Sequence, residues 1–174
     1  WGNNRGLVLM ASDDLIHWTH HVARIDKLFP EKFGQVACAW APQTIWDPTV
    51  DKPMVYFTIR QQAGGRTKLY YSYADEAFTT LETEPKLLFE YPDASIQVLD
   101  ADIIEIDDLP IDDLRFKSAN QKSVNQKSVN RKSVNRKYIM TYVSQENPGG
   151  IKYMISDKIN HFDDYHAEPI DAER

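Results

Sequence analysis

Asp100 and Asp102 are a pair of carboxylates of the kind that electrostatic or acid–base work uses. They stand two apart at the opening of Val98-Leu99-Asp100-Ala101-Asp102-Ile103-Ile104, so a strand there carries both carboxylates on one face. An aspartate in that place either presents its carboxylate to a site or turns it back onto backbone N–H groups as a turn cap. Both readings are open for each of the two at this point. Trp40 opens an earlier strand much as Asp100 opens this one, to within a one-residue slip. Its indole offers a flat apolar face with a polar edge, which serves a ring-shaped ligand or an intersheet core equally well. Gln43 and Arg60 carry hydrogen-bonding groups near strand ends.

The remaining reactive groups read as structural. Glu146, in Gln145-Glu146-Asn147-Pro148, belongs to a hairpin. His17, His20, His21, His161 and His166 lie near strand ends, on different faces or in turns, which suits solvated or packing roles better than a metal site. Cys38 is the single cysteine, so an internal disulfide and a multi-cysteine metal site are both excluded. There is no Gly-rich phosphate loop, no nucleophile elbow and no Cys/His pair.

The elements that must position these groups are strands. Leu7–Met10, Gln43–Trp46, Met54–Ile59, Lys68–Tyr73, Lys86–Phe89, Ile103–Ile106, Tyr138–Val143 and Ile151–Ile155 are short β-branched or aromatic runs. Turn residues divide them, as at Asp51-Lys52-Pro53, Gly64-Gly65 and Asn147-Pro148-Gly149-Gly150. Strong helical periodicity is missing, and the fold class expected is all-β. With 174 residues, 42% hydrophobic and 11% aromatic, the chain can bury a core and is too apolar for a disordered segment. No apolar run approaches the ~20 residues of a membrane-spanning helix.

Charge is unevenly spread. The whole chain has 20 bases against 26 acids, but eight of those bases and no acid lie between Arg115 and Lys137, so the rest carries 12 against 26, or −14. Such a body does not seek nucleic-acid phosphates or anionic lipid, and it suits neutral or cationic ligands. The basic stretch contains KSANQ, KSVNQ, KSVNR and KSVNR in succession over residues 117–136. With no aromatic and no alternating pattern these repeats bury no face, and they read as a solvated loop expanded inside a hairpin or as a basic tail for an acidic partner.

An internal repeat organises the rest. Leu7–Trp18, Lys68–Phe78 and Ile151–Phe162 share one template: an apolar strand ending at Ser12, Ser72 or Ser156, an acidic turn, then Trp18, Phe78 or Phe162. Without the insert the spacing is nearly constant at about 60 residues, room for four strands, and four-stranded units repeated radially are the blades of a β-propeller. Residues 1–30 then form the outer half of a first blade, residues 31–91 a complete blade, and residues 92–174 a blade carrying the insert. Two and a half blades cannot close a ring. The expectation is a partial propeller and, since the chain opens at Trp1 without Met or an apolar leader, a processed product or a piece of a longer protein.

Three segments carry a family resemblance: Trp40-Ala41-Pro42-Gln43 opening an inner strand, Ser12-Asp13-Asp14-Leu15-Ile16-His17-Trp18 ending a blade, and Val98-Leu99-Asp100-Ala101-Asp102-Ile103 opening the next. Together they resemble glycoside hydrolase family 43, five-bladed propellers that include arabinanases, arabinofuranosidases and β-xylosidases. The Ser12–Trp18 segment is shared with invertases and levanases, but the Arg-Asp-Pro motif of those fructosidases is absent here.

The resemblance implies hydrolysis of arabinose- or xylose-containing saccharides with inversion. In that chemistry one carboxyl protonates the leaving oxygen and another activates water, standing ~6.5–9.5 Å apart. A third carboxylate raises the acid's pKa by like-charge repulsion and orients it. By this resemblance Asp100 matches the third carboxylate, and Trp40 and Asp102 are the candidates for substrate binding beside it. The general base falls before Trp1 and the general acid after Arg174. No cofactor is implied beyond a structural calcium that some members hold on the propeller axis, and no local ligand motif for it is visible. The implied partner is a carbohydrate, with neither nucleic acid nor membrane, in a secreted or periplasmic protein that is monomeric when complete. A propeller that binds carbohydrate without hydrolysing it is the alternative.

Overall fold

A computed structural model describes residues 3–106, 137–146 and 149–163. Strands β1 (Gly6–Ala11) and β2 (Thr19–Arg24) form an antiparallel hairpin. Two single-turn helices, α1 (Ile25–Leu28) and α2 (Pro30–Phe33), lead to a four-stranded meander of β3 (Cys38–Asp47), β4 (Lys52–Arg60), β5 (Thr67–Tyr73) and β6 (Lys86–Phe89). A three-stranded meander follows, made of β7 (Val98–Ile106), β8 (Lys137–Ser144) and β9 (Gly150–Ser156). Within each sheet every strand pairs antiparallel with its neighbour in sequence, the layout of propeller blades. The fold is all-β, with the sheets stacked as in a partial propeller.

The middle sheet is covered on both faces, and β4 shows how. Its run Met54–Ile59 is buried throughout, and successive side chains point to opposite faces. Val55, Phe57 and Ile59 enter a core with Leu7, Leu9 and Ala23 of the first hairpin and with Ile25, Phe33 and Val36. Met54 and Tyr56 enter a second core with Val98, Ala101 and Ile103 of β7 and with Tyr138, Met140 and Tyr142 of β8. Burial of each large apolar side chain stabilises by ~1.5–3 kcal/mol, so these two interfaces hold the sheets together.

Two strands begin earlier than their sequence pattern shows. The pairing of β3 with β4 jumps between Trp40 and Gln43, and that of β7 with β8 jumps between Leu99 and Asp102. Each jump is a bulge, and each contains a residue in the left-handed region: Ala41 at φ 47° and Asp100 at φ 55°. The bulges break the period-two alternation, which is why only the downstream halves of β3 and β7 are legible as strands. Strand β2 has no legible pattern either, because Ala23 is its one buried residue.

The shared turn template is only partly uniform. Ser12 Oγ accepts the N–H groups of Asp14 and Leu15, and Ser156 Oγ accepts that of Lys158. In the middle copy Asp75 does this work, accepting from Thr79 and Thr80, while Ser72 Oγ bonds the Thr83 carbonyl inside the sheet. Phe162 is buried and Phe78 half-buried, but Trp18 is 48% exposed, because no described element lies over it. The repeats of residues 117–136 lie outside the described residues.

Candidate active site

Asp100 sits where the inner strand of the last sheet opens. It is exposed, and among the described residues its carboxylate has no hydrogen-bond or ion-pair partner, so it caps no turn. Its backbone N–H, unpaired within its own sheet, donates to Thr58 Oγ1 of β4 at 3.3 Å. Asp102 differs: its Oδ1 accepts the Tyr56 hydroxyl at 3.3 Å. The same Tyr56 oxygen accepts the Ile103 N–H at 2.9 Å. Burial, reinforced by the Asp102 charge, pushes the Tyr56 hydroxyl up to about 12, so it remains a donor to Asp102 at neutral pH. The structure therefore separates two aspartates that look alike in sequence, one engaged and one unengaged.

Trp40 lies across the ladder from Thr58, in the neighbouring sheet and toward the same end as Asp100. The Arg60 guanidinium stands over its ring, 4.9 Å from the centroid, a cation–π arrangement. Arg60 Nη2 also donates to Gln97 Oε1 at 3.2 Å, just ahead of β7. Gln97 in turn accepts the Gln145 N–H through its carbonyl. A rim of Trp40, Arg60 and Gln97 thus runs from one sheet to the next beside Asp100. Gln43 is exposed farther along β3, opposite Tyr56.

Glu146 is committed elsewhere. Its carboxylate pairs with the buried Lys152 ammonium and accepts the Tyr91 hydroxyl, joining the β8–β9 turn to the preceding sheet. His17 is bound to Asp14 in an exposed turn, His20 and His21 are adjacent exposed residues of β2, and His161 pairs with Asp163. His166 lies outside the described residues. No group of three His, Cys, Asp or Glu able to hold a metal ion occurs among the described residues. No helix among them is long and apolar enough to cross a membrane.

Tyr56, Thr58 and Gln97 were not legible as site residues. One signal was available for Thr58: it is the polar member of the otherwise apolar or aromatic run Met54–Ile59.

With this geometry in place, comparison with known proteins identifies the class. The sequence matches the family described as "Probable glycosyl hydrolase domain", related to glycoside hydrolase family 43, over residues 1–162, and the chain belongs to that family. The fold is similar to a solved structure titled "Crystal structure of a thermostable family-43 glycoside hydrolase", with a TM-score of 0.51 and 13% identity. The match covers 98% of this chain and 53% of that one, so the chain spans about half the length of its structural relative. No curated protein matches the sequence.

Proposed function

We propose that this chain supplies one wall of the active site of an inverting glycosidase acting on arabinose- or xylose-containing saccharides. Asp100 is its third carboxylate, Trp40 its sugar platform and Asp102 a flanking polar group. The observation that carries the reading is the exposed, unengaged carboxylate of Asp100, in a bulge whose counterpart in the preceding sheet is filled by Ala41. The backbone shape does not need a carboxylate there, so the side chain is free for a site.

In this reading the general base and general acid come from sequence outside residues 1–174. Negative charge at Asp100 keeps the acid protonated near neutral pH and turns it toward the leaving oxygen. Water then attacks from the opposite face of the sugar and inverts the anomeric centre. Polymeric substrates of this kind lie outside cells, which favours a secreted or periplasmic protein.

The test is hydrolysis of 4-nitrophenyl arabinofuranoside and xyloside by the 174-residue chain and by the longest product of its reading frame. Activity in the longer product alone, lost in Asp100→Asn, is the expected result. Activity in the 174-residue chain overturns the assignment of base and acid. Binding of arabino- or xylo-oligosaccharide without hydrolysis in either form would instead establish the carbohydrate-binding alternative.

A further inference from the structure

Three side chains on one face of β4 meet three successive points at the opening of β7. Tyr56 Oη takes the Ile103 N–H, Thr58 Oγ1 takes the Asp100 N–H, and Arg60 Nη2 donates to Gln97 Oε1. They alternate along the strand as i, i+2 and i+4, which puts all three on the same side. The two strands run past each other in opposite senses, so rising positions on β4 meet falling positions on the approach to β7.

The middle contact carries the argument. A bulge leaves its residues without ladder partners, and the jump from Leu99 to Asp102 puts Asp100 in that position. Its N–H would otherwise have no acceptor in its own sheet. Thr58 is 1% exposed within a strand whose other buried positions pack apolar or aromatic groups, and its hydroxyl makes no other hydrogen bond among the described residues. Valine would fill nearly the same volume without a buried hydroxyl. The oxygen is thus accounted for by the bond it makes across the sheets.

We propose that Thr58 is a positioning residue: from the neighbouring sheet its hydroxyl ties down the bulged backbone of Asp100 and so fixes where that carboxylate points, with Tyr56 and Arg60 pinning the bulge on either side. The inference rests on the reading of Asp100 as a site carboxylate, and its test has one arm that does not. In the 174-residue chain, amide hydrogen exchange at Asp100 is compared among wild type, Thr58→Val and Thr58→Ser. Loss of the acceptor in Thr58→Val speeds exchange there by about tenfold, while Thr58→Ser stays near wild type. Exchange at the buried strand positions of β8, away from the bulge, shows that Thr58→Val is folded. If that variant does not fold, Thr58→Ala takes its place.

In the second arm, kcat for the nitrophenyl glycoside in the active form falls about tenfold in Thr58→Val, with KM within a factor of two, and recovers in Thr58→Ser. Unchanged exchange at Asp100 overturns the proposal outright. Faster exchange with unchanged kcat in an active wild type reduces Thr58 to a packing bond and overturns its positioning role. If the wild type hydrolyses nothing, the glycosidase reading fails, and the exchange arm alone decides whether Thr58 holds the bulge.

Discussion

Ala41 and Asp100 hold the same place in successive sheets. Each is the first residue skipped by the bulge near the start of an inner strand, and each has a positive φ, 47° and 55°. Trp40 therefore corresponds to Leu99 and not to Asp100, which resolves the one-residue slip between the two motifs. One backbone device, used twice, carries a methyl group in one sheet and a carboxylate in the next.

Replacing that carboxylate should leave the fold intact. Asp100→Asn keeps a residue type that tolerates positive φ, and the thermal midpoint should stay within about 2 °C of wild type, the effect of well under 1 kcal/mol. Turnover in the active form should fall by about a hundredfold or more, since the group that tunes the general acid is lost. Near-normal turnover in a well-folded variant would remove Asp100 from the site.

Tyrosine burial makes the fold sensitive to alkali. Tyr56 is pushed up to about 12 by burial, and Tyr70, Tyr71 and Tyr73 are also raised, each chiefly by burial. A raised pKa means that the folded state holds the proton more tightly. The contribution is therefore fully present below the ordinary tyrosine value near 10, and it is lost as pH climbs from there through about 12. Denaturant midpoints measured from pH 8 to 11.5 should decline steeply above pH 10, and Tyr56→Phe should make the decline shallower. An equally steep decline in the variant would show that Tyr56 takes no part.

Lys152 and Glu146 should behave as a dependent pair. The Lys152 side chain is only 4% exposed against 22% for Glu146, so removing the carboxylate takes the counter-charge from a buried cation that keeps its contact with the Tyr91 hydroxyl. Glu146→Gln is expected to cost about 3 kcal/mol, a fall of roughly 10 °C in thermal midpoint. The double variant Glu146→Gln with Lys152→Met should recover most of that loss. A double variant no more stable than Glu146→Gln would show that the lysine's charge is not what makes the single change costly.

The long connection between β7 and β8 should be dispensable in its repeat region. Ile106 and Lys137 are paired directly across the ladder, so the chain leaves and returns at adjacent points. Closing a connection costs free energy only logarithmically in its length, so deleting residues 117–136 should raise stability by about 1 kcal/mol or leave it unchanged. A thermal midpoint lowered by several degrees would mean that the repeats pack.

The sequence was legible where alternation and turn chemistry act locally. The runs Met54–Ile59 and Tyr138–Val143 read directly as strands, and the Gly64-Gly65 turn between β4 and β5 was marked by its residues. The bulges hid the first halves of β3 and β7, because a residue outside the ladder shifts every later side chain against the expected pattern. Asp100 and Trp40 were singled out by motif. Thr58 engages Asp100 across sheets and Arg60 engages Trp40 from the adjacent strand, and no local periodicity records such partners. The same distance in sequence hid the division of labour between Asp100 and Asp102, which depends on Tyr56 reaching one carboxylate from β4.

The meander order also bears on when the shape is acquired. Hairpins between consecutive strands close early because little chain entropy is lost in bringing them together. The bond from Thr58 to Asp100 joins positions 42 residues apart and needs a finished β4 before β7 can be seated. During synthesis the four-stranded sheet can be complete while β7 is still to emerge, and the carboxylate is then aimed by a surface already formed. Slow-folding variants of β4 would thus accumulate chains whose last sheet can form while Asp100 has no fixed direction.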